Sequence, residues 1–244
     1  MAETAGMQWQ SAARTDRGKV RQRNEDAVLA LPERGLWLVA DGMGGHQNGA
    51  LASRLLVEEI VELPQSSNLD DRLLDVRDCL YRVNRLLGHE ITMTADKPDS
   101  IMGSTVVMLL AQGERAICVW AGDSRCYLSR SGKLYQLSRD HCLMQELIEE
   151  QQLSPAEAAR HPSARALTRA VGASDDLMLD IVDFTIYPGD TLMLCSDGLY
   201  QDLSRDEISE ALSLESPERA LQRLFRQALG GPARDNISAV VIRP

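Results

Sequence analysis

The sequence predicts an α+β protein built in layers, with two packed, mainly antiparallel sheets covered by helices. Three observations carry this. Apolar runs of strand length recur at 27–31, 36–40, 104–111, 115–121, 125–129, 178–186, 191–195 and 237–242. Many of the turns between them are short and built from Gly, Pro, Asp or Ser, which suits antiparallel neighbours. Stretches near 48–93 and 205–229 carry helical periodicity instead. Helices apolar on one face, beside sheets that need cover, imply stacking.

The chain of 244 residues is 44% hydrophobic and 25% charged, ample for one large core. No repeat, linker or low-complexity stretch divides it, so residues 1–244 are read as a single domain. A net charge of −10 argues against nucleic acid or an anionic membrane as partner. No apolar run is long enough to span a bilayer, and the first ten residues lack the basic start and apolar core of a signal peptide. The five cysteines are odd in number and show no CxxC spacing, so reduced core thiols in a cytoplasmic protein are expected.

Taken in order, residues 15–26 are polar and basic and give no strand signal. Residues 27–31 and 36–40 form a pair around the turn at 32–35. The second run ends in Asp41-Gly42-Met43-Gly44-Gly45-His46, a carboxylate followed by backbone free to approach a ligand. Asn48 suits the start of a helix reaching about Leu63, with Leu51, Leu55, Ile60 and Leu63 near its apolar face. Leu69, Leu73, Val76, Leu80, Val83 and Leu87 make the cleanest amphipathic pattern, ending at Gly88 or running on to Met93. A meander follows from Gly103. Residues from about 140 to 172 are polar and interrupt the strands, with two helical pieces around Ser154-Pro155, so they read as a surface insertion or flap. Pro188-Gly189-Asp190 turns into the strand at 191–195. Helices at about 205–212 and 217–229, the second capped by Ser216, precede the last strand.

Five acidic points stand at strand ends or starts: Asp41, Asp123 after Gly122, Asp197 after Ser196, Asp235, and the pair Glu25-Asp26. Antiparallel neighbours bring such ends to one edge. Singly, each is a turn or cap residue. Gathered, they repel unless cations neutralise them, and oxygen ligands suit Mg²⁺ or Mn²⁺.

The ordered set Arg21-Gln22-Arg23-Asn24-Glu25-Asp26, Asp41-Gly42-Met43-Gly44-Gly45-His46, Gly103-Ser104-Thr105, Gly122-Asp123-Ser124-Arg125, Ser196-Asp197-Gly198 and Asp235-Asn236 resembles the motifs of the metal-dependent serine/threonine protein phosphatases (type 2C, or PPM), in their bacterial signalling branch. The resemblance covers about 14–242. It implies a four-layer α-β-β-α sandwich with a dinuclear Mn²⁺ or Mg²⁺ site at one edge. It implies that Asp41 bridges both metals, that the Gly42 carbonyl joins one, and that Asp197 and Asp235 bind the other. Asp26 would bind a metal directly or through water, with Glu25 behind, and Asp123 would hold a third, weaker metal. Arg21 would grip the phosphate. The reaction implied is hydrolysis of phosphoserine or phosphothreonine on proteins by a metal-activated water. The expected partners are phosphorylated proteins, among them a bacterial Ser/Thr kinase and its targets, met by a monomer. The alternatives are a phosphoprotein-binding pseudophosphatase and a hydrolase of small phosphate esters. Two departures stand out. Ala50 replaces a glutamate common in the branch, and Met43 occupies the position of a histidine that is a candidate general acid in animal relatives. His46 and His161 are the remaining candidates for that proton, and His161, in the flap, is also a candidate substrate contact.

Overall fold

The computed structural model describes residues 8–44, 48–94 and 102–244. It opens with a strand the sequence did not announce, β1 (Gln10–Asp16). Its stretch QSAARTD is mostly polar and only partly buried, because β1 is an edge strand held by its ladder with the last strand. Then come β2 (Asp26–Leu31) and β3 (Leu36–Met43), joined by a tight turn at Pro32–Arg34. Two helices follow, α1 (Asn48–Val61) and α2 (Leu69–Thr94), the latter running past Gly88. The meander is β4 (Gly103–Ser104), β5 (Val106–Gln112), β6 (Arg115–Ala121), β7 (Arg125–Arg130) and β8 (Lys133–Gln136). The insertion carries α3 (Leu143–Glu150) and α4 (Pro155–Ala158), whose start is a capping box between Ser154 and Glu157. The remainder is β9 (Asp180–Thr185), β10 (Thr191–Cys195), α5 (Asp197–Tyr200), α6 (Arg205–Leu212), α7 (Pro217–Gly230) and β11 (Ile237–Arg243).

The strands form two antiparallel sheets, ordered β1-β11-β10-β7-β8 and β2-β3-β5-β6-β9, with β4 pairing β3. Their stacking follows from side-chain alternation. Along β3, Trp37 and Val39 face the other sheet and, with Leu109 and Cys118 of their own sheet, meet Leu194 and Val240 of the other. Leu36, Leu38 and Ala40 face the opposite way, onto Leu56, Ile60, Leu80 and Val83 of α1 and α2. On the other sheet Met193, Ala239 and Val241 pack outward against Ile208, Leu224 and Phe225 of α6 and α7. Three apolar layers therefore separate four structural layers, helix–sheet–sheet–helix, as expected.

One helix phase differs from the sequence reading. The buried face of α1 is Gly49, Ala52, Ser53, Leu56 and Ile60, while Leu51 is 53% exposed. The cause is close packing at the start of the helix. A Cβ on Gly42 would lie 2.0 Å from the Gly49 carbonyl oxygen, so only small residues fit between α1 and β3 there. All five cysteines are buried and free.

Candidate metal centre

Register places the first two carboxylates. Asp26 and Asp41 are direct cross-strand partners in the β2–β3 ladder. Asp197 opens α5 just past the end of β10, and Asp235 stands just ahead of β11, the neighbour of β10. Asp123 lies in the turn between β6 and β7. These carboxylates meet at one edge of the sandwich. Asp41, Asp123, Asp197, Asp235, Glu25 and the Gly42 backbone line a cavity of about 640 Å³. Asp26 is buried behind it.

The short polar motifs hold these acids in place. The Asp41 amide donates to Thr105 Oγ1 at 3.1 Å, and its carbonyl accepts from the Thr105 amide at 2.9 Å and Ser104 Oγ at 3.0 Å. Thr105 Oγ1 in turn contacts Ser124 Oγ at 2.7 Å. Gly103-Ser104-Thr105 and Ser124 thus fix the Asp41 backbone. Asp26 Oδ2 accepts from Ser196 Oγ at 2.8 Å and Ser238 Oγ at 2.6 Å. Asn236 Oδ1 accepts from the Glu25 amide, and its Nδ2 donates to the carbonyls of Arg17 and Arg23, each at 2.9 Å, so it pins the basic loop beside the cavity. Gly198 is required because a Cβ there would lie 2.0 Å from the Asn236 carbonyl.

The electrostatics are those of crowded acids. Burial, then Asp26 and Asp197, hold the Asp41 carboxyl well above the usual carboxylate range. Burial, followed by the charge of Asp235, raises Asp197. Burial and Asp197 push Asp123 up to about 7. Among the described residues, two carboxylate oxygens, Asp26 Oδ1 and Asp197 Oδ1, are buried without a hydrogen-bond donor. In each case the companion oxygen is taken, for Asp26 by the two serines and for Asp197 by Gln201 Nε2 at 2.6 Å. Among the described residues no three acidic, histidine or cysteine side chains close on one point as a finished cage. Asp235 is turned toward Arg21, whose Nη2 lies 2.6 Å from its Oδ2. The donor set nevertheless fits hard dications. It offers only oxygen, its charges are poorly compensated, and its two orphaned buried oxygens need a positive partner.

The insertion is anchored beside the site. Arg125 makes a two-pronged pair with Asp140, at 2.8 and 2.6 Å, and its guanidinium lies 3.5 Å over the Tyr200 ring. Tyr200 Oη donates to the Asp123 carbonyl. His141 is buried, stacked on Trp120, and accepts from the Gly122 amide through Nδ1. Burial lowers its pKa, so at neutral pH it is an uncharged anchor. The insertion also contributes two residues that no local sequence signal marks, Arg165 and Leu167, to the wall of the main cavity. Arg165 Nη1 donates to Gln201 Oε1 at 2.5 Å, so Gln201 joins the insertion to Asp197. His161 is exposed, accepts from the Ser163 amide, and lines an adjoining cavity of about 430 Å³ that shares Asp123 and Arg165 with the first. Met43 lines the main cavity. His46 lies outside the described residues.

A family model described as protein phosphatase 2C matches residues 7–150. The serine/threonine protein phosphatase PstP of Mycobacterium tuberculosis is 35% identical over 230 residues, which are 94% of this chain and 44% of PstP. The chain therefore spans less than half of that relative. Protein phosphatase PhpP of Streptococcus pneumoniae is 31% identical over 93% of this chain and 94% of its own length. Among solved structures, PppA, a key regulatory component of T6SS in Pseudomonas aeruginosa, superposes with a TM-score of 0.90 at 39% identity, covering 98% of both chains. The catalytic domain of PstP in complex with two manganese ions matches with a TM-score of 0.84 at 34% identity, over 96% of this chain and 97% of that one.

Proposed function

The chain belongs to the protein phosphatase 2C family, and we propose that it hydrolyses phosphoserine and phosphothreonine on proteins. The observation that carries the reading is the cross-strand pair Asp26–Asp41, with Asp197 and Asp235 beside it, in a cavity edged by arginine.

Asp26, Asp41, Asp197, Asp235 and the Gly42 carbonyl would hold two Mn²⁺ or Mg²⁺ ions, with Glu25 behind them and Asp123 on a third, weaker one. The PstP domain in complex with two manganese ions supports a two-cation site. When bound, the cations supply positive charge and Lewis acidity that acidify the attacking water. The chain's own residues do the rest. Ser104, Thr105 and Ser124 keep Asp41 on its strand. Ser196 and Ser238 fix one oxygen of Asp26 and leave the other free. Arg21 uses one nitrogen on Asp235, and the rest of its fork remains for two oxygens of a phosphoryl group. Water is the nucleophile. All five cysteines are buried, and the Thr105 hydroxyl in the cavity wall is engaged by Ser124 and the Asp41 amide. Among the described residues no histidine lines the main cavity, so the leaving alkoxide takes its proton from cavity water.

The phosphoproteins it acts on are a bacterial Ser/Thr kinase and the targets of that kinase, met in the cytoplasm by a monomeric enzyme. Among the described residues no helix is long and apolar enough to cross a membrane.

Release of phosphate from a phosphothreonine peptide tests the reading. Activity should vanish in excess EDTA and return with Mn²⁺. Full turnover under chelation overturns the metal mechanism. Peptide binding without phosphate release overturns the enzyme, and turnover restricted to small esters overturns the protein substrate.

A further inference from the structure

The rim of the cavity holds more arginines than one phosphoryl group needs. Arg21, Arg23 and Arg165 all line it. Arg21 is set against Asp235. Among the described residues the other two meet no carboxylate. Arg23 is exposed, and although its backbone carbonyl is held by Asn236, its guanidinium has no hydrogen-bond or ion-pair partner among the described residues. Arg165 reaches the cavity from the insertion, on a different part of the chain, and among the described residues its guanidinium hydrogen-bonds only to the neutral amide of Gln201. Acids outnumber bases in this protein by 36 to 26, and Arg82, Arg115, Arg125 and Arg130 each find one. Two exposed guanidiniums facing one cavity without a counter-charge are suited to an incoming anion. Their planar fork matches a carboxylate or a phosphate better than any other common group. For Arg165, exchanging an amide oxygen for an anionic one strengthens the bond it already makes.

We propose that this rim reads a second anionic group beside the phosphorylated residue, so that the preferred substrate is a phosphoserine or phosphothreonine flanked by acidic side chains or by another phosphorylated residue. Arg23 receives the flank on the side of the basic loop and Arg165 receives it on the side of the insertion. The inference rests on the phosphatase reading and narrows its substrate class. The net charge of −10 repels such a peptide at long range, so the preference resides in these short contacts and weakens with salt. Exposed ion pairs are individually modest, about threefold each, so the two together give roughly a tenfold preference.

The test uses the full chain with Mn²⁺ and three matched peptides. One has a single phosphothreonine among neutral residues, one has glutamates on both sides, and one has a second phosphothreonine. The wild type should show kcat/KM about tenfold higher for the two acidic peptides, chiefly through KM, with the advantage shrinking as salt rises. Fluorescence anisotropy with the Asp41→Asn variant should rank peptide affinities in the same order. In the double variant Arg23→Gln/Arg165→Gln the ratio should fall toward one, and Arg23→Lys/Arg165→Lys should recover part of it. A gain for both acidic peptides means that the rim reads charge, and a gain for the doubly phosphorylated one alone means that it reads phosphate. Either supports the inference. Equal kcat/KM for all three peptides, or an unchanged ratio in the glutamine variant, overturns it while leaving the phosphatase intact. If no peptide is hydrolysed the phosphatase reading fails, and the anisotropy ranking then decides the inference by itself.

Discussion

Asp26 and Asp197 share a construction in which one oxygen is fixed by protein donors and the other is buried and bare. The fixed oxygen sets the carboxylate plane, and the bare one is what a cation would take. Neutralising a carboxylate here removes a ligand charge and leaves the fold nearly untouched. Asp41→Asn, Asp197→Asn and Asp235→Asn should each lose nearly all phosphopeptide turnover while circular dichroism stays native. Wild-type turnover in any of them would place the site elsewhere. Gln201→Leu tests the support behind Asp197. Loss of such a supporting bond typically weakens metal affinity about 10- to 100-fold. Calorimetric titration with Mn²⁺ should show that drop in the variant, and an unchanged titration would make Gln201 a surface residue with no hold on the metal.

At the scale of elements, the insertion is held by a few strong contacts around a short stem. Arg125 and Asp140 are both largely buried and pair through two bonds. Asp140→Asn would leave Arg125 without its counter-charge, which costs about 3–5 kcal/mol in a fully buried pair and about 2 kcal/mol where some solvent reaches it. The expected result is a lower Tm and faster tryptic cleavage within 143–167. Wild-type cleavage rates would mean that other contacts anchor the insertion. This element also marks where the sequence ceases to be legible. An apolar run ending in Asp41 or in Ser196-Asp197 is a local signal, and both carboxylates stand where the runs end. The insertion stood out because polar composition broke a series of strands. Arg165 and Gln201 carry no such mark. Their importance comes from a contact between segments far apart in the chain, which no local pattern encodes. The strand β1 was missed for the opposite reason, since a polar edge strand is defined by its partner β11 and not by its own side chains. The phase of α1 depended on the contact between Gly42 and Gly49, again a tertiary fact.

For the whole molecule, the site is a source of instability that cations should relieve. Asp26, Asp41, Asp123 and Asp197 all have folded pKa values above the ordinary 3.8, chiefly through burial. A raised carboxyl pKa means that the native state binds more protons than the unfolded one. Its contribution is therefore full below about pH 4 and is lost as pH climbs toward the raised values, about 7 for Asp123. His141 acts in the opposite sense. Its pKa is lowered from 6.5, so the unfolded state takes up the proton first and stability falls as pH drops through that region. A single profile in chelator would mix the two. The difference between Tm with Mn²⁺ and Tm with EDTA removes His141, which lies outside the carboxylate cluster and contributes equally to both. What remains is relief of carboxylate repulsion by the cation, opposed at low pH by protons competing for the same oxygens. The Mn²⁺-induced rise in Tm should therefore be small near pH 5.5 and grow steadily to pH 8. A rise of constant size across that range would mean that these carboxylates are already ionised and unstrained in the folded protein, and no rise at all would mean that they do not hold the metal.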